Sequence, residues 1–235
     1  MKNVIVCKNC GTENPFYGLI CTDCKSYIRD RIYNVDLWKV LGLLIEDPRK
    51  GFQLIIQSEH KNFIFFILIF AGIKFFIDSI YFTHLSIKLE PDLEHFVRNY
   101  LIVLTGISIL PLIFGIIMKT IDRLYGIATR ILDNFSILVY SFVPQVFALI
   151  LLFTVEATVF GGNLFSKNPS PFNLKEFLAY TLLGFEILIL VWGVYLSVMA
   201  LYTQARNIIY SIVVGLVFNI SIYFFLYLIS LNFYN

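Results

Sequence analysis

The stretch FSILVYSFVPQVFALILLFTVEATVF, residues 135–160, decides the fold class of this chain. It holds 26 residues with no Lys or Arg, and one acid, Glu156, near its far end. At about 1.5 Å per residue, a helix of this length exceeds the roughly 30 Å hydrocarbon core of a bilayer, so it can cross with a tilt. Its middle contains Tyr140 and Pro144, and a proline there is expected to kink the helix and free a backbone carbonyl one turn earlier. The stretch therefore predicts a bent membrane-spanning helix.

The composition supports a membrane protein as a whole. The chain is 58% hydrophobic and only 14% charged, with 24 Phe and 14 Tyr, and a soluble domain of 235 residues cannot bury that much apolar surface. Five stretches of at least 19 residues qualify as spans, at about 63–81, 100–118, 135–160, 177–202 and 208–231. Asn173 and Glu176 stand three apart, like a capping box at the start of the fourth span. We predict an all-α membrane protein with a bundle of five transmembrane helices.

Residues 1–30 form a separate cysteine-rich unit. The chain has four cysteines, which are Cys7, Cys10, Cys21 and Cys24. Two C-x2-C knuckles present four thiolates to one tetrahedral Zn(II), and Gly11, directly after the first knuckle, allows a positive φ. Lys25 takes the equivalent position of the second knuckle. Two disulfides, or an iron–sulfur or redox site, are the alternatives. We predict a four-cysteine zinc ribbon with one structural zinc ion, because so short a unit has almost no core and all four ligand positions are filled.

Residues 31–62 predict an amphipathic segment at the membrane surface. Apolar residues recur there at helical spacing, namely Leu37, Trp38, Val40, Leu41, Leu44 and Ile45. Asp47 and Pro48 are typical of an N-cap followed by proline at the first helical position, so a second short helix is expected over about 49–59. It would place Phe52, Ile55 and Ile56 on one side. The segment is either a cytoplasmic docking surface or a connector that lies on lipid.

The distribution of positive charge predicts the orientation. If the N-terminus is inside, thirteen Lys and Arg lie in the inner segments and four in the outer loops, namely Lys88, Arg98, Lys167 and Lys175. Positive residues are enriched on the cytoplasmic side, so we expect the N-terminus in the cytoplasm and the C-terminus on the opposite side. A reducing cytoplasm also keeps thiols able to hold zinc.

Four charged residues fall within the predicted spans, and three of them lie at nearly the same depth. Lys74 and Asp78 are four residues apart on one face of the first span, and Glu186 lies at nearly the same depth in the fourth. A lone charge in hydrocarbon is costly, so we expect Lys74 to face Asp78 and Glu186. The cluster is either a clasp between two spans or part of a proton or ion path. Glu156 is expected to be solvated near the outer interface.

Taken in order, these features resemble the Yip family, which is named for proteins that interact with Rab-type GTPases in vesicle traffic. The resemblance rests on "EDPRKGFQLII" with Asp47 and Pro48, on five spans, and on "YSFVPQVF" with Tyr140 and Pro144. It covers about residues 36–231, so that residues 63–231 would form a Yip-like domain. The opening "CKNCGTENP" is similar to the zinc ribbon of prokaryotic-looking members. The resemblance implies a non-enzymatic membrane protein that scaffolds or shapes membranes.

No catalytic motif is found in the sequence: it has no HExxH, GxSxG or Walker A pattern. We expect no enzyme activity and no nucleic-acid partner. The first hypothesis is a scaffold or adaptor that engages a cytoplasmic protein through the ribbon. The second is a small permease, channel or transporter accessory subunit using Lys74, Asp78 and Glu186. The expected partners are the lipid bilayer and a cytoplasmic protein, with homo-oligomerisation left open.

Overall fold

The computed structural model describes residues 3–83, 96–166 and 168–233. Lys88 and Lys167, which entered the charge count, lie outside these residues. Two short strands come first, β1 (Val4–Val6) and β2 (Glu13–Pro15), and they pair antiparallel. The α-helices are α1 (Leu37–Glu46), α2 (Pro48–Gln57), α3 (Ile64–Thr83), α4 (Phe96–Leu124), α5 (Ile131–Tyr140), α6 (Val143–Phe147), α7 (Phe153–Phe160), α8 (Pro171–Leu174), α9 (Glu176–Ala205) and α10 (Ile208–Phe233).

Five stretches among the described residues are long and apolar enough to cross a membrane. They are Ile64–Phe82, Phe96–Leu124, Ile131–Phe165, Glu176–Ala205 and Ile208–Leu231. The predicted fold class is therefore confirmed. The second stretch is longer than its predicted range, because α4 continues through flanking polar residues such as Arg98 and Arg123. Hydropathy marks the apolar part of a helix, and backbone hydrogen bonding carries the helix beyond it.

The third span is broken at the predicted proline. Helix α5 ends at Tyr140, two residues of turn follow, and Pro144 takes the second position of α6. Proline is tolerated there because its missing N–H would lack an intrahelical partner anyway. A π-helical segment, Ala148–Leu152, then leads into α7. The sequence predicts a kink within one helix. The structure instead has a turn between two helices, followed by a π-helical segment.

The predicted start of the fourth span is wrong in one detail. Asn173 does not cap α9, because it lies inside the short helix α8, whose N-cap is Ser170. Pro171 at the first position of α8 is pre-organised for a helix start, and the Asn173 N–H donates to the Ser170 carbonyl at 3.0 Å. Asn173 is therefore part of α8, and α9 begins separately at Glu176.

The chain divides into two compact units. The first unit comprises Met1–Phe65, Pro111–Ser141 and Tyr195–Phe218. In it, α1 and α2 form a hairpin, and α2 also contacts α5. The core of this hairpin consists of fully buried apolar residues, namely Val40, Leu44, Phe52, Ile55 and Ile56. The predicted grouping of the last three on one buried side is confirmed, and so is the helix start, where Asp47 accepts from the Lys50 N–H directly before α2.

The second unit comprises Phe66–Leu110, Phe142–Val194 and Asn219–Asn235. One apolar core lies where α7 and the turn after it meet the start of α9, and it contains Phe160, Leu164, Ala179 and Leu182. Tyr81 of α3 packs against this core. In the same unit Gly106 of α4 lies directly under the Phe225 ring of α10, so the two helices approach closely at a residue without a side chain.

Candidate metal centre and buried charge cluster

The four cysteines converge on one point. Their ligand atoms lie within 4.8 Å of one another, with 3.6 Å between the Sγ atoms of Cys7 and Cys24 and 3.5 Å between those of Cys10 and Cys21. These distances are far longer than the disulfide bond of about 2.05 Å. A tetrahedral metal with metal–sulfur bonds of about 2.3 Å separates its sulfurs by roughly 3.8 Å. The described geometry therefore fits four thiolates around one metal ion.

The two knuckles have matching backbone turns. Gly11 has φ of 75° and Lys25 has φ of 60°, so both positions after the second cysteine of a knuckle are left-handed. In the first knuckle the Gly11 N–H donates to the Cys7 carbonyl at 2.9 Å. Lys25 occupies the second position at a steric cost, because a β-carbon disfavours this region of backbone space. The positive φ predicted at Gly11 is confirmed, and Lys25 shares this conformation.

Asn14 connects the two knuckles, and sequence reasoning missed it. Its side chain is buried, its amide donates to the Thr12 carbonyl at 2.9 Å, and its Oδ1 accepts from the Thr22 N–H at 2.8 Å. Its amide nitrogen also lies 3.5 Å from the Cys21 Sγ. Such outer-shell bonds hold metal ligands in place. The sequence shows only that a polar residue lies between the two knuckles. The hydrogen-bond partners of Asn14 are set by the folded turns and cannot be read from the sequence.

Ser26 favours the thiolate form of two ligands. Its hydroxyl lies 2.9 Å from the Cys24 Sγ and 3.3 Å from the Cys7 Sγ. The hydrogen bond from Ser26 lowers the pKa of the Cys24 thiol to about 5, and the same hydroxyl lowers the pKa of Cys7. The thiolate is the form that ligates metals, so these hydrogen bonds favour metal binding at Cys7 and Cys24.

The ribbon is attached to the helices of the first unit by a buried amide chain. The Asn3 side chain donates to the carbonyls of Thr203 and Gln204, at 3.1 and 2.6 Å. The Gln204 side chain donates in turn to Asn134 Oδ1 at 3.0 Å, and Asn134 donates to the Gly115 carbonyl at 3.2 Å. Buried amides with partners specify one arrangement. The chain thus links the N-terminal segment to α9, α5 and α4.

Three arginines hold the rest of the ribbon against the same unit. The guanidinium of Arg206 lies over the Phe16 ring at 5.8 Å, and that of Arg130 lies over the Tyr17 ring at 4.4 Å. Arg29 donates to the carbonyls of Tyr17 and Gln57, at 3.1 and 2.8 Å. Cation–π contacts and hydrogen bonds to carbonyls are both stabilising. The ribbon is therefore a docked part of the first unit.

A buried ion pair lies next to this attachment, at the C-terminal end of α2. Lys61 lies 3.2 Å from Asp133, and the two side chains are 3% and 1% exposed. The Lys61 ammonium also donates to the carbonyls of Ile55, Ile56 and Ser58, and Arg130 donates to both oxygens of Asp133. Burial lowers the pKa of Lys61 to about 8, against the opposing effect of Asp133. Sequence reasoning missed this pair, because both residues flank predicted spans.

In the second unit, the charged residues predicted inside the spans come together. Lys74 is fully buried and contacts Asp78 one turn away on α3. Its Nζ lies 2.8 Å from Glu186 Oε1 and 3.0 Å from Oε2, so it faces the carboxylate of α9. The side chains of Asp78 and Glu186 are 13% and 19% exposed. These contacts join α3 to α9, as a clasp would, and they are equally suited to an ion path.

Glu156 is not solvated as expected. It is 5% exposed, and the Tyr81 hydroxyl donates to its Oε2 at 2.9 Å. The π-helical segment before α7 displaces the following residues around the helix axis, so the side that holds Glu156 cannot be read from a regular 3.6-residue period. The expectation that Glu156 is solvated assumed a regular α-helix over residues 135–160.

The four positions that carry the family resemblance lie at the start of α2 and at the break in the third span. Asp47 and Pro48 start α2, Tyr140 is fully buried at the end of α5, and Pro144 is buried in α6. The predicted surface helix α1 buries Val40 and Leu44 and leaves Trp38 81% and Ile45 59% exposed. Residues seven apart lie on one side of a helix, so α1 presents an apolar side as well as a buried one.

Comparison with protein-family models, with curated proteins and with solved structures finds no match for this chain.

Proposed function

We propose that this protein is a non-enzymatic, Yip-like integral membrane protein that acts as a scaffold or adaptor and engages a cytoplasmic protein through its ribbon. The observation that carries the proposal is that the ribbon still exposes large apolar side chains although it is docked. Asn3, Tyr17 and Arg29 hold it against the helices of the first unit. Large apolar side chains grouped at a surface often mark an interaction site.

The exposed apolar residues of the ribbon fall into two pairs. Val4 and Val6, which are 39% and 55% exposed, alternate on β1 and so share one face. Ile20 and Tyr27, which are 47% and 71% exposed, face each other as bridged partners. Aromatic and aliphatic side chains of this kind form the centre of protein interfaces. Their exposure makes them suited to contact with a protein partner.

The metal is proposed to be one structural Zn(II). Four thiolates in a tetrahedral arrangement suit zinc, and a site with four protein ligands leaves no open position for a reacting water. The Yip-like assignment draws support from the Asp47 cap and from the helix break between Tyr140 and Pro144. The excess of Lys and Arg in the N-terminal segment supports a cytoplasmic N-terminus. In that orientation, exposed Trp38 of α1 suits the headgroup layer.

Site-specific photo-crosslinking in cells tests the adaptor function. A photoreactive residue replaces Val6 or Tyr27 in the full chain, and a third version carries it at Leu124, which is 81% exposed at the end of α4 and outside the ribbon. We expect one adduct of the same size from both ribbon positions and none from Leu124. The adduct should disappear when Cys21→Ser is combined with the Tyr27 probe.

Two outcomes contradict the adaptor function. Equal adducts from the ribbon and from Leu124 would indicate collisions at any exposed apolar residue. Absence of any ribbon adduct in cells, with the protein present at its usual level, would show that the ribbon has no stable partner.

A small permease, channel or transporter accessory subunit is the second candidate. It is favoured by the contact of Lys74 with Asp78 and Glu186, since charged residues within spans often mark ion pathways. Ion flux in proteoliposomes that Glu186→Gln abolishes, while Glu176→Gln leaves it unchanged, would favour this candidate. Glu176 is a matched control because it lies on the same helix and is exposed.

A further inference from the structure

The buried charge cluster of the second unit is larger than the three residues found in the sequence. Its titratable groups come from four helices, and they are Lys74, Asp78 and Tyr81 of α3, Glu156 of α7, Glu186 of α9 and Tyr223 of α10. Tyr223 belongs to it because its hydroxyl lies within electrostatic range of Asp78 and Glu186. All six residues lie within the candidate membrane spans.

The cluster has more acid than base. Lys74 contacts two of the three carboxyl groups, Asp78 and Glu186, and within the described ranges it is the one cation that touches any of them. Glu156 has a neutral phenol, that of Tyr81, as its hydrogen-bond donor. With all three acids ionised, the cluster would carry two uncompensated negative charges. In a medium of low dielectric constant such charges are neutralised by a bound proton or cation.

A second, independent observation points to a missing positive partner. Gln145 is 5% exposed, and its amide donates to the Tyr223 hydroxyl at 3.0 Å. Its Oε1 accepts no hydrogen bond within the part of the chain that the structure describes. Buried acceptors are almost always satisfied. This buried acceptor belongs to a side chain that is hydrogen-bonded to Tyr223, which interacts electrostatically with Asp78 and Glu186, so the surroundings of the cluster have an acceptor that a proton-bearing group would satisfy.

We propose that this cluster is a proton-binding site and that Glu156 carries the proton at neutral pH. The proton comes from a hydronium ion of the aqueous phase, which is left as water, and its O–H bond on the Glu156 carboxyl leaves one uncompensated negative charge instead of two. That charge is shared by Asp78 and Glu186, which both contact the Lys74 ammonium and are 13% and 19% exposed. Lys74 remains charged between Asp78 and Glu186, where its ammonium already has both partners. Tyr81 is a positioning residue, because its hydroxyl holds the Glu156 carboxyl without balancing its charge. The proposal does not depend on the adaptor function, and either can fail alone.

Infrared difference spectroscopy of the full chain in lipid vesicles tests the site, since a protonated carboxyl has its own carbonyl stretching band. We expect this band at neutral pH, its loss in Glu156→Gln, and no change in Glu176→Gln, which alters an exposed acid at the start of α9. Tyr81→Phe should shift the frequency of the band and leave its intensity unchanged, because it removes a hydrogen bond and not the proton. If Glu156→Gln does not fold, the frequency shift in Tyr81→Phe still assigns the band to Glu156, because Tyr81 is the hydrogen-bond donor to that carboxyl.

A gain of protons provides a further check. Lys74→Met removes the one ammonium, so a second carboxyl should become protonated and the band should approximately double. The proposal is overturned if the wild-type protein has no such band at neutral pH, or if the band survives Glu156→Gln unchanged. It is also overturned if replacing choline by sodium in the buffer removes the band, since a metal cation would then be the ligand.

Discussion

Asp133→Asn is predicted to be among the most destabilising single changes in the first unit. The substitution keeps the shape of the side chain and removes its charge, which leaves the 3%-exposed Lys61 ammonium without its counter-ion. Removing one partner of a buried pair costs about 3–5 kcal/mol. The carbonyls of Ile55, Ile56 and Ser58 still accept from Lys61, so we expect the lower end, about 3 kcal/mol.

The loss can be measured by thermal unfolding in detergent micelles, followed by circular dichroism. For a chain of this size 1 kcal/mol lowers the midpoint by about 2–4 °C, so Asp133→Asn should lower it by about 6–12 °C. Lys61→Met should cost less, because Asp133 keeps its two bonds from Arg130. The matched control is Glu59→Gln, which breaks the pair between Arg31 and Glu59.

That control pair is solvent-exposed, with side chains 47% and 31% accessible, and its loss should cost less than about 1 kcal/mol. An Asp133→Asn midpoint lowered no more than that of Glu59→Gln would contradict this prediction. A larger loss in Lys61→Met than in Asp133→Asn would also contradict it, because the unpaired Lys61 ammonium is expected to be the costlier group.

Three further predictions concern packing, pH and metal. Gly106→Ala should destabilise by about 1–3 kcal/mol, because a methyl group there would overlap the Phe225 ring, whereas Gly193→Ala has open space and should be neutral or stabilising in the same unfolding assay. Burial lowers the pKa of Lys61 to about 8, so between pH 8 and about 10.4 the unfolded chain binds more protons than the folded one, and the stability of the fold rises with pH. Across that interval the free energy of unfolding of the wild type should increase by up to about 3 kcal/mol relative to that of Lys61→Met. A difference between the two proteins that does not change with pH would contradict this. Elemental analysis should find one zinc per chain, and chelation or Cys21→Ser should make residues 1–30 sensitive to protease while the helices keep their circular dichroism; unchanged protection would show that the ribbon folds without metal.

The spans and the metal ligands could be read from the sequence because each depends on local chemistry. A run of about 20 apolar residues has few alternatives to a membrane helix, and two C-x2-C pairs at short separation can reach one ion. The start of α2 was equally local, since Asp47 and Pro48 act on the turn that follows them. These features need no knowledge of tertiary contacts.

Features that depend on irregular backbone or distant partners could not be read in this way. Glu156 is buried because the π-helical segment before α7 changes which side of the helix it lies on. Asn173 lies inside the short helix α8, which has Ser170 as its N-cap, and so it does not cap α9. Asn14 and Lys61 look like ordinary polar residues until the ribbon and α2 are folded. Their partners, Thr22 and Asp133, lie 8 and 72 residues away in the sequence.

The hydrogen bonds of Asn3 have a consequence for the order of assembly during synthesis. Their acceptors, Thr203 and Gln204, follow Asn3 by 200 and 201 residues. At about 5–20 residues per second, a ribosome needs roughly 10–40 s to cover that interval. The ribbon can contact α2 earlier, because Arg29 donates to the Gln57 carbonyl, but the bonds of Asn3 cannot form until the end of α9 has been made. The segment that is synthesised first is therefore among the last to complete its contacts.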